Sequence, residues 1–247
     1  MDDGIWRLTV SATDFADNAA ALAGGTFEVV HDTVPPVTEL AVGEPKFVSG
    51  GVTWINITTP LTFSATDDLL ISGDNVGTGV AATYVSINGA PFIAVTGPIF
   101  ISSEGAQSMA YYSVDKSGNR EVELTAAFMV DAAAPGISLN FPAPGAVGLE
   151  RALAGVIAVK GSISDIILSS WTFEYAAGAD AQSGYVFITS GSAAASSVLA
   201  AWNTAGLTGD YTLRLRAADS VGNAAAVRSN VFIGAPYMTQ AIGRWER

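Results

Sequence analysis

The chain has 247 residues, 49% of them hydrophobic, with 23 acidic side chains against 11 basic ones, a single histidine and no cysteine. That length allows two domains of ordinary size, and a net charge of −12 with Lys and Arg scattered singly leaves no basic surface for nucleic acid. Disulfides and thiolate metal sites are excluded, and the apolar runs fall far short of the roughly 20 residues a membrane helix needs, so no membrane span is expected.

A surplus of Ala, Val, Gly, Ser and Thr favours strands over helices. The N-terminus, Met1-Asp2-Asp3-Gly4, has no basic segment leading into an apolar stretch, so a signal for export is expected outside this sequence. The first element then alternates Trp6, Leu8, Val10 and Ala12 with polar residues, the period of a strand with one buried face. It runs into a tight turn from Asp14 to Asn18, and a second strand follows that reaches Phe27.

This pattern recurs. Gly4, Gly105 and Gly209 are each followed at fixed offsets by Asp14, Asp115 and Asp219, then by Asn18, Asn119 and Asn223, then by Phe27, Phe128 and Phe232. The inward set of the last copy is Tyr211, Leu213, Leu215 and Ala217; the middle copy is less regular, with Gln107, Met109, Tyr111 and Ser113. In the turns of the later copies a glycine, Gly118 or Gly222, supplies a positive φ without steric cost, whereas the first copy has Asp17, which makes that hairpin the more strained one.

Between the copies, the middle stretch reads as strands at Leu61 to Ala65, Ala81 to Ile87, Pro91 to Val95 and Pro98 to Ser102, with Asn88-Gly89 as a two-residue hairpin turn. The last stretch reads as strands at Val156 to Ile163, Ser170 to Tyr175, Tyr185 to Ser190 and Val198 to Trp202, with room for a helical turn in the Ala- and Ser-rich run from Ser192 to Ala201. Many short strands in units of about 100 residues give an all-β fold of tandem immunoglobulin-like β-sandwiches. Boundaries follow from the linkers Asp32-Thr33-Val34-Pro35-Pro36 and Asp131-Ala132-Ala133-Ala134-Pro135: a partial module at 1–34, sandwiches at 35–135 and 136–236, and a tail at 237–247. Residues 1–34 hold only the last two strands of a sandwich; either the sequence begins inside a longer protein or a neighbouring chain supplies the missing strands. Short linkers with proline point to a semi-rigid rod.

The repeated strand, the Asp-to-Asn turn and closing segments such as Phe27-Glu28-Val29-Val30-His31-Asp32-Thr33-Val34-Pro35-Pro36 and Phe128-Met129-Val130-Asp131 resemble the bacterial Ig-like repeats of large surface adhesins and secreted multi-module proteins. The resemblance implies an extracellular or cell-surface location and neighbouring modules or copies of the chain itself as partners. It further implies calcium held by the turn and linker aspartates, Asp14 with Asp32 and Asp115 with Asp131, against the plain reading that the turn aspartates only close their hairpins. Asp219 has no linker aspartate after it, so the last copy is expected to lack such a site. Asp67, Asp68 and Asp74, with Asn75, Gly77 and Gly79, read as a solvated loop.

Catalysis finds little support: the one histidine, His31, lies in a linker, and although carboxylate pairs exist, every prominent aspartate has a turn or linker explanation. Two functions remain. One is a non-catalytic spacer, stalk or filament segment of a surface protein. The other is a binding module, an adhesin tip or a carbohydrate-binding accessory domain recognising a surface glycan or protein, for which Trp54, Trp202 and Trp245 are the aromatics the repeat does not place.

Overall fold

The computed structural model describes residues 4–29, 31–67, 77–141 and 153–234, and among these it contains strands and turns and no helix. The three repeated segments are three antiparallel hairpins: β1 (Gly4–Thr13) with β2 (Ala19–Val29), β9 (Gly105–Asp115) with β10 (Leu124–Val130), and β16 (Gly209–Asp219) with β17 (Ala224–Ile233). Their turns are one device built three times. The amide of Asp14, Asp115 or Asp219 donates to the carbonyl of Asn18, Asn119 or Asn223 at 3.0–3.1 Å, and each Asp Oδ1 accepts from the backbone N–H of that same Asn at 2.9 Å. Within each turn the residue before the Asn is left-handed, at φ 94° for Gly118, 91° for Gly222 and 58° for Asp17. Asp17 therefore carries the steric cost that glycine avoids.

The chain divides into two compact units, Met1–Glu44 with Thr58–Met129, and Pro45–Ile57 with Val130–Arg247. In the first, β10, β9, β7 (Val80–Ile87) and β8 (Ile93–Val95) lie side by side in that order, and β3 (Val37–Val42) pairs with β6 (Leu61–Thr66) as a second layer. Leu61, Val85, Met109, Tyr111 and Phe128 are buried, with Phe63 against Tyr111 at 5.3 Å between ring centroids.

The irregular inward residues of the middle copy are polar groups with partners. Gln107 Oε1 accepts from Asn88 Nδ2 at 2.7 Å, and Ser113 Oγ meets Thr38 Oγ1 at 2.6 Å and Thr83 Oγ1 at 2.8 Å. The buried carboxylate of Glu121 accepts from the Ser113 amide at 2.5 Å, from the Thr38 amide at 3.0 Å and from the Thr38 hydroxyl, tying the layer of β3 to the hairpin.

The second unit contains the hairpin β4 (Lys46–Ser49) and β5 (Val52–Ile55). Its two larger sheets are β11 (Gly136–Phe141), β12 (Val156–Ser164) and β15 (Ala195–Asn203) in that order, and β14 (Val186–Gly191), β13 (Leu168–Ala177), β16 and β17. Three strands facing four is the layering of an Ig-like sandwich. Val159, Ile163, Phe173, Trp202, Leu213, Leu215 and Ile233 form the core between them.

The chain is thus an all-β protein of tandem Ig-like β-sandwiches with an additional hairpin at its start. Each strand expected between the repeats is present within a few residues, except that Pro98 to Ser102 supplies only a bridge from Ile99 to Leu61. The run from Ser192 to Ala201 becomes part of β15 instead of a helical turn, because its backbone pairs with β12 from Ala195 onward. The segment 237–247, with Trp245, lies outside the described residues, as do Asp68, Asp74 and Asn75.

Candidate metal centre: two groups of aspartates

Each complete module gathers three aspartates. Asp32, Asp67 and Asp115 present one carboxylate oxygen apiece within 4.8 Å of one another, and so do Asp131, Asp165 and Asp219; all are buried except the half-buried Asp165. In each trio the members have the same origins: the linker aspartate that precedes the module, the residue just after the module's second long strand, and the turn aspartate of its last hairpin. The asparagine of the repeat completes the arrangement. Asn119 Nδ2 donates to Asp115 Oδ2 at 2.8 Å and to the Asp32 carbonyl at 2.9 Å; Asn223 Nδ2 donates to Asp219 Oδ2 at 2.7 Å and to the Asp131 carbonyl at 3.0 Å.

The expected pairs, Asp14 with Asp32 and Asp115 with Asp131, are not the ones brought together. Asp14 lies in the turn between β1 and β2, whereas Asp32 follows Val29, which pairs with Gly4 at the other end of the hairpin. Ten strand residues at about 3.3 Å each keep the two roughly 30 Å apart. A linker aspartate instead meets the turn of the module it introduces, so Asp32 joins Asp115 and Asp131 joins Asp219. The last copy, expected to lack a linker partner for Asp219, gathers a trio as well, through Asp131 and Asp165, and Asp14 belongs to no such group among the described residues.

Asp67 is also buried, and not part of a solvated loop: its Oδ2 accepts from the Gly79 amide at 2.6 Å. The signal for Asp67 and Asp165 was in the sequence. Ser64-Ala65-Thr66-Asp67 and Ser162-Ile163-Ser164-Asp165 share a pattern and follow their linker aspartates at nearly equal separation.

The electrostatics of the groups differ by position. Burial pushes Asp115 up, but bonds from Asn119, Gly118 and Ser117 outweigh it and hold the carboxyl below its usual value of 3.8. The exposed Asp14 is also lowered, by the Asn18 side chain first and then by the Asn18 and Ala16 amides. Asp165 goes the other way: burial raises it, the Ile167 amide only partly offsets this, and Asp131 and Asp219 add like-charge repulsion.

An all-oxygen donor set suits a hard cation, and two oxygens on opposite sides of a calcium ion stand at most about 5 Å apart. The oxygens grouped within 4.8 Å fit that requirement. Asp131 and Asp165 each commit one oxygen to a single amide, those of Ala133 and Ile167, while Asp32 accepts from Val34 with one oxygen and from the Thr78 amide and hydroxyl with the other. Carboxylate oxygens carry lone pairs beyond these bonds.

The aromatic candidates divide. Trp202 is 2% exposed and packs with Tyr175 and Tyr211 in the core. Trp54 pairs with Phe47 across β4–β5 and lines an open groove of about 460 Å³ with Val52, Ile166, Ile167 and Leu168. A third cluster was not legible from the repeat: Tyr84 stacks on Tyr112 at 5.2 Å, Phe92 meets Tyr112 edge-on at 4.9 Å, and the Arg120 guanidinium lies 3.6 Å from the Tyr112 ring centre. His31 is exposed.

No family model matches the chain, and no curated protein matches it. Among solved structures, it is similar to the fibronectin(III)-like modules of Clostridium thermocellum CbhA, with 15% identity and a TM-score of 0.38 over 79% of this chain and 94% of that one. It is also similar to a tetra-tandem repeat in the extending region of a large adhesion protein, with 16% identity and a TM-score of 0.32 over 94% of this chain and 57% of that one. Extracellular cadherin domains 3–6 of protocadherin gamma B2 give 14% identity and a TM-score of 0.23 over 93% and 57%. The chain therefore spans little more than half the length of the last two. None reaches a TM-score of 0.5, and the fold rests on the strand order and register given above.

Proposed function

We propose that the chain is a non-catalytic spacer segment of an extracellular or cell-surface protein, with neighbouring modules or copies of itself as partners, and that calcium stiffens it. The observation that carries this reading is the recurrence of the same aspartate trio in both complete modules. A recognition site is specific to one module, whereas a feature copied with the module serves the repeat itself. Within the trios, Asp32, Asp115 and Asp131 are the calcium ligands expected from sequence, joined by Asp67, Asp165 and Asp219. Asp14 would contribute only through its turn.

The binding-module reading draws on the groove beside Trp54. Against it, Tyr84 and Tyr112 turn their faces to each other, and Arg120 takes up a face of Tyr112, so little flat aromatic surface is left for a sugar ring.

The test is a calcium titration of the whole chain followed by melting temperature and by hydrodynamic radius. The expected result is a rise in melting temperature that Asp165→Asn and Asp67→Asn each reduce. Unchanged melting temperature and radius at millimolar calcium would remove the calcium part, and saturable binding to a glycan array abolished by Trp54→Ala would replace the spacer by the binding module.

A further inference from the structure

We infer that the outer face of the β14–β13–β16–β17 sheet binds an acidic polysaccharide through its uronic-acid carboxylates, with the Arg216 guanidinium as the anchor. Lys and Arg are scattered along the sequence, but strand register gathers three of the 11 on this face. One row crosses the sheet as Phe187, Glu174, Arg214 and Arg228, and the next as Ser190, Thr172, Arg216 and Ala226. Cross-strand partners share a side of the sheet, and the intervening Phe173, Leu213 and Leu215 fill the core, so both rows point outward.

Two of the arginines are engaged. Arg214 donates from Nε and Nη2 to Glu174 Oε2 at 2.9 and 2.7 Å, and its guanidinium lies 3.5 Å from the centre of the Tyr185 ring. Arg228 Nη1 donates to Gln182 Oε1 at 2.9 Å, a neutral acceptor that leaves the positive charge in place. Arg216 is exposed, and its side chain makes no hydrogen bond or ion pair among the described residues. The hairpin does not need these side chains: the corresponding places hold Ala110, Tyr112 and Leu124 in the middle copy and Thr9, Ser11 and Ala23 in the first. Arg214 stands directly opposite Arg228, which like-charge repulsion disfavours. A feature confined to one module and carried against the stability of its hairpin serves recognition, not the repeat.

The chemistry around Arg216 selects the partner. Three arginines against Glu174 make the face positive on a chain of net charge −12. Physiological salt screens acidic groups more than about 8 Å away, so the face still attracts anions. One free guanidinium matches widely spaced carboxylates, which it grips with two parallel N–H donors, and not the phosphate carried by every nucleotide of a nucleic acid. Beside it, Thr172, Ser170 and Ser190 are short and carry hydroxyls with no hydrogen bond among the described residues, which suits the hydroxyls of a sugar ring. Ala226 next to Arg216 keeps the surface low, and Phe187, 60% exposed, offers apolar area to the C–H face of a sugar. A protein partner would need a broad apolar centre to its contact, whereas Phe187 is the one large apolar side chain in the two rows. The inference is independent of the aspartate trios, and the spacer reading survives its failure.

Isothermal titration calorimetry of the full chain with alginate and polygalacturonate oligosaccharides tests it, in buffer with EDTA so that calcium cannot bridge the probe to the aspartates. The expected result is saturable binding to at least one probe that weakens as salt is added and disappears when the probe's carboxylates are methyl-esterified. Arg216→Ala should weaken binding at least about tenfold, and Arg216→Lys by less, because the ammonium keeps the charge without the paired donors. Lys160→Ala, which removes the same charge from β12 in the other sheet, should leave binding within about threefold. Near-ultraviolet circular dichroism of each variant, reporting Trp171 and Trp202 in the core of the same unit, separates loss of binding from loss of fold. Binding to neither probe overturns the inference, as does binding that survives esterification or that Arg216→Ala and Lys160→Ala weaken alike. Binding of polyglutamate but of neither uronate, with the same dependence on Arg216, would assign the face to an acidic protein and overturn it equally.

Discussion

The β1–β2 and β16–β17 hairpins share their turn chemistry, their spacing and their alternation, yet one is open and the other covered. The turn bonds of Asp14 with Asn18 match those of Asp219 with Asn223 to within 0.2 Å. Turn geometry is therefore local and forms regardless of what lies above the sheet. Burial is not local: Leu213 and Leu215 are enclosed because β11, β12 and β15 lie across from them, and no sequence feature of the hairpin itself records whether that layer is present.

The comparison breaks most sharply at the equivalent positions Leu215 and Val10. Leu215→Ala should cost about 3 kcal/mol, the price of a cavity in a close-packed core, while Val10→Ala should change stability by less than about 0.5 kcal/mol in dilute solution. Urea melts of the two variants check this, and equal losses would mean that the first hairpin is covered after all. Next in size is Glu121, which has Ala20 and Ala225 as its counterparts in the other copies. Glu121→Ala should cost about 2 kcal/mol, because the buried amides of Ser113 and Thr38 lose a charged acceptor.

The turns give a smaller effect of opposite sign. Gly222→Ala should destabilise by about 1 kcal/mol, and Asp17→Gly should relieve a similar but smaller strain, both read from thermal melts. The smallest effect separates the aspartates. Because the folded-state value of Asp165 is raised, the stability tied to it is fully present below its unfolded value of 3.8 and lost as pH rises through its folded value. Asp115 is lowered, so its contribution is present above 3.8 and lost as pH falls through its folded value. In calcium-free buffer at neutral pH, Asp165→Asn should raise the melting temperature, and Asp115→Asn should lower it.

The fold was legible because the repeat fixes register: Gly, Asp, Asn and Phe at constant offsets locate three hairpins, and alternation locates most strands between them. The short strands β3, β4, β5 and β11 were not legible. They are four to six residues long, and proline, glycine and serine flank them more visibly than any alternation marks them. For the site, the residue types were legible and the partners were not. A turn aspartate and the linker aspartate after it are near in sequence, but an antiparallel strand carries them to opposite ends of a hairpin, and the sheet brings in the linker aspartate from the start of the module instead. Asn119 and Asn223 show what the repeat's asparagine is for: each holds its own turn aspartate with one amide group and reaches the linker carbonyl with the same nitrogen.

Amide hydrogen exchange of the whole chain, read hairpin by hairpin in dilute solution, tests most directly that one hairpin design is covered twice and open once. The account predicts slow exchange in β9–β10 and β16–β17 and fast exchange in β1–β2. Protection of β1–β2 equal to that of β16–β17 at the lowest concentration would contradict it.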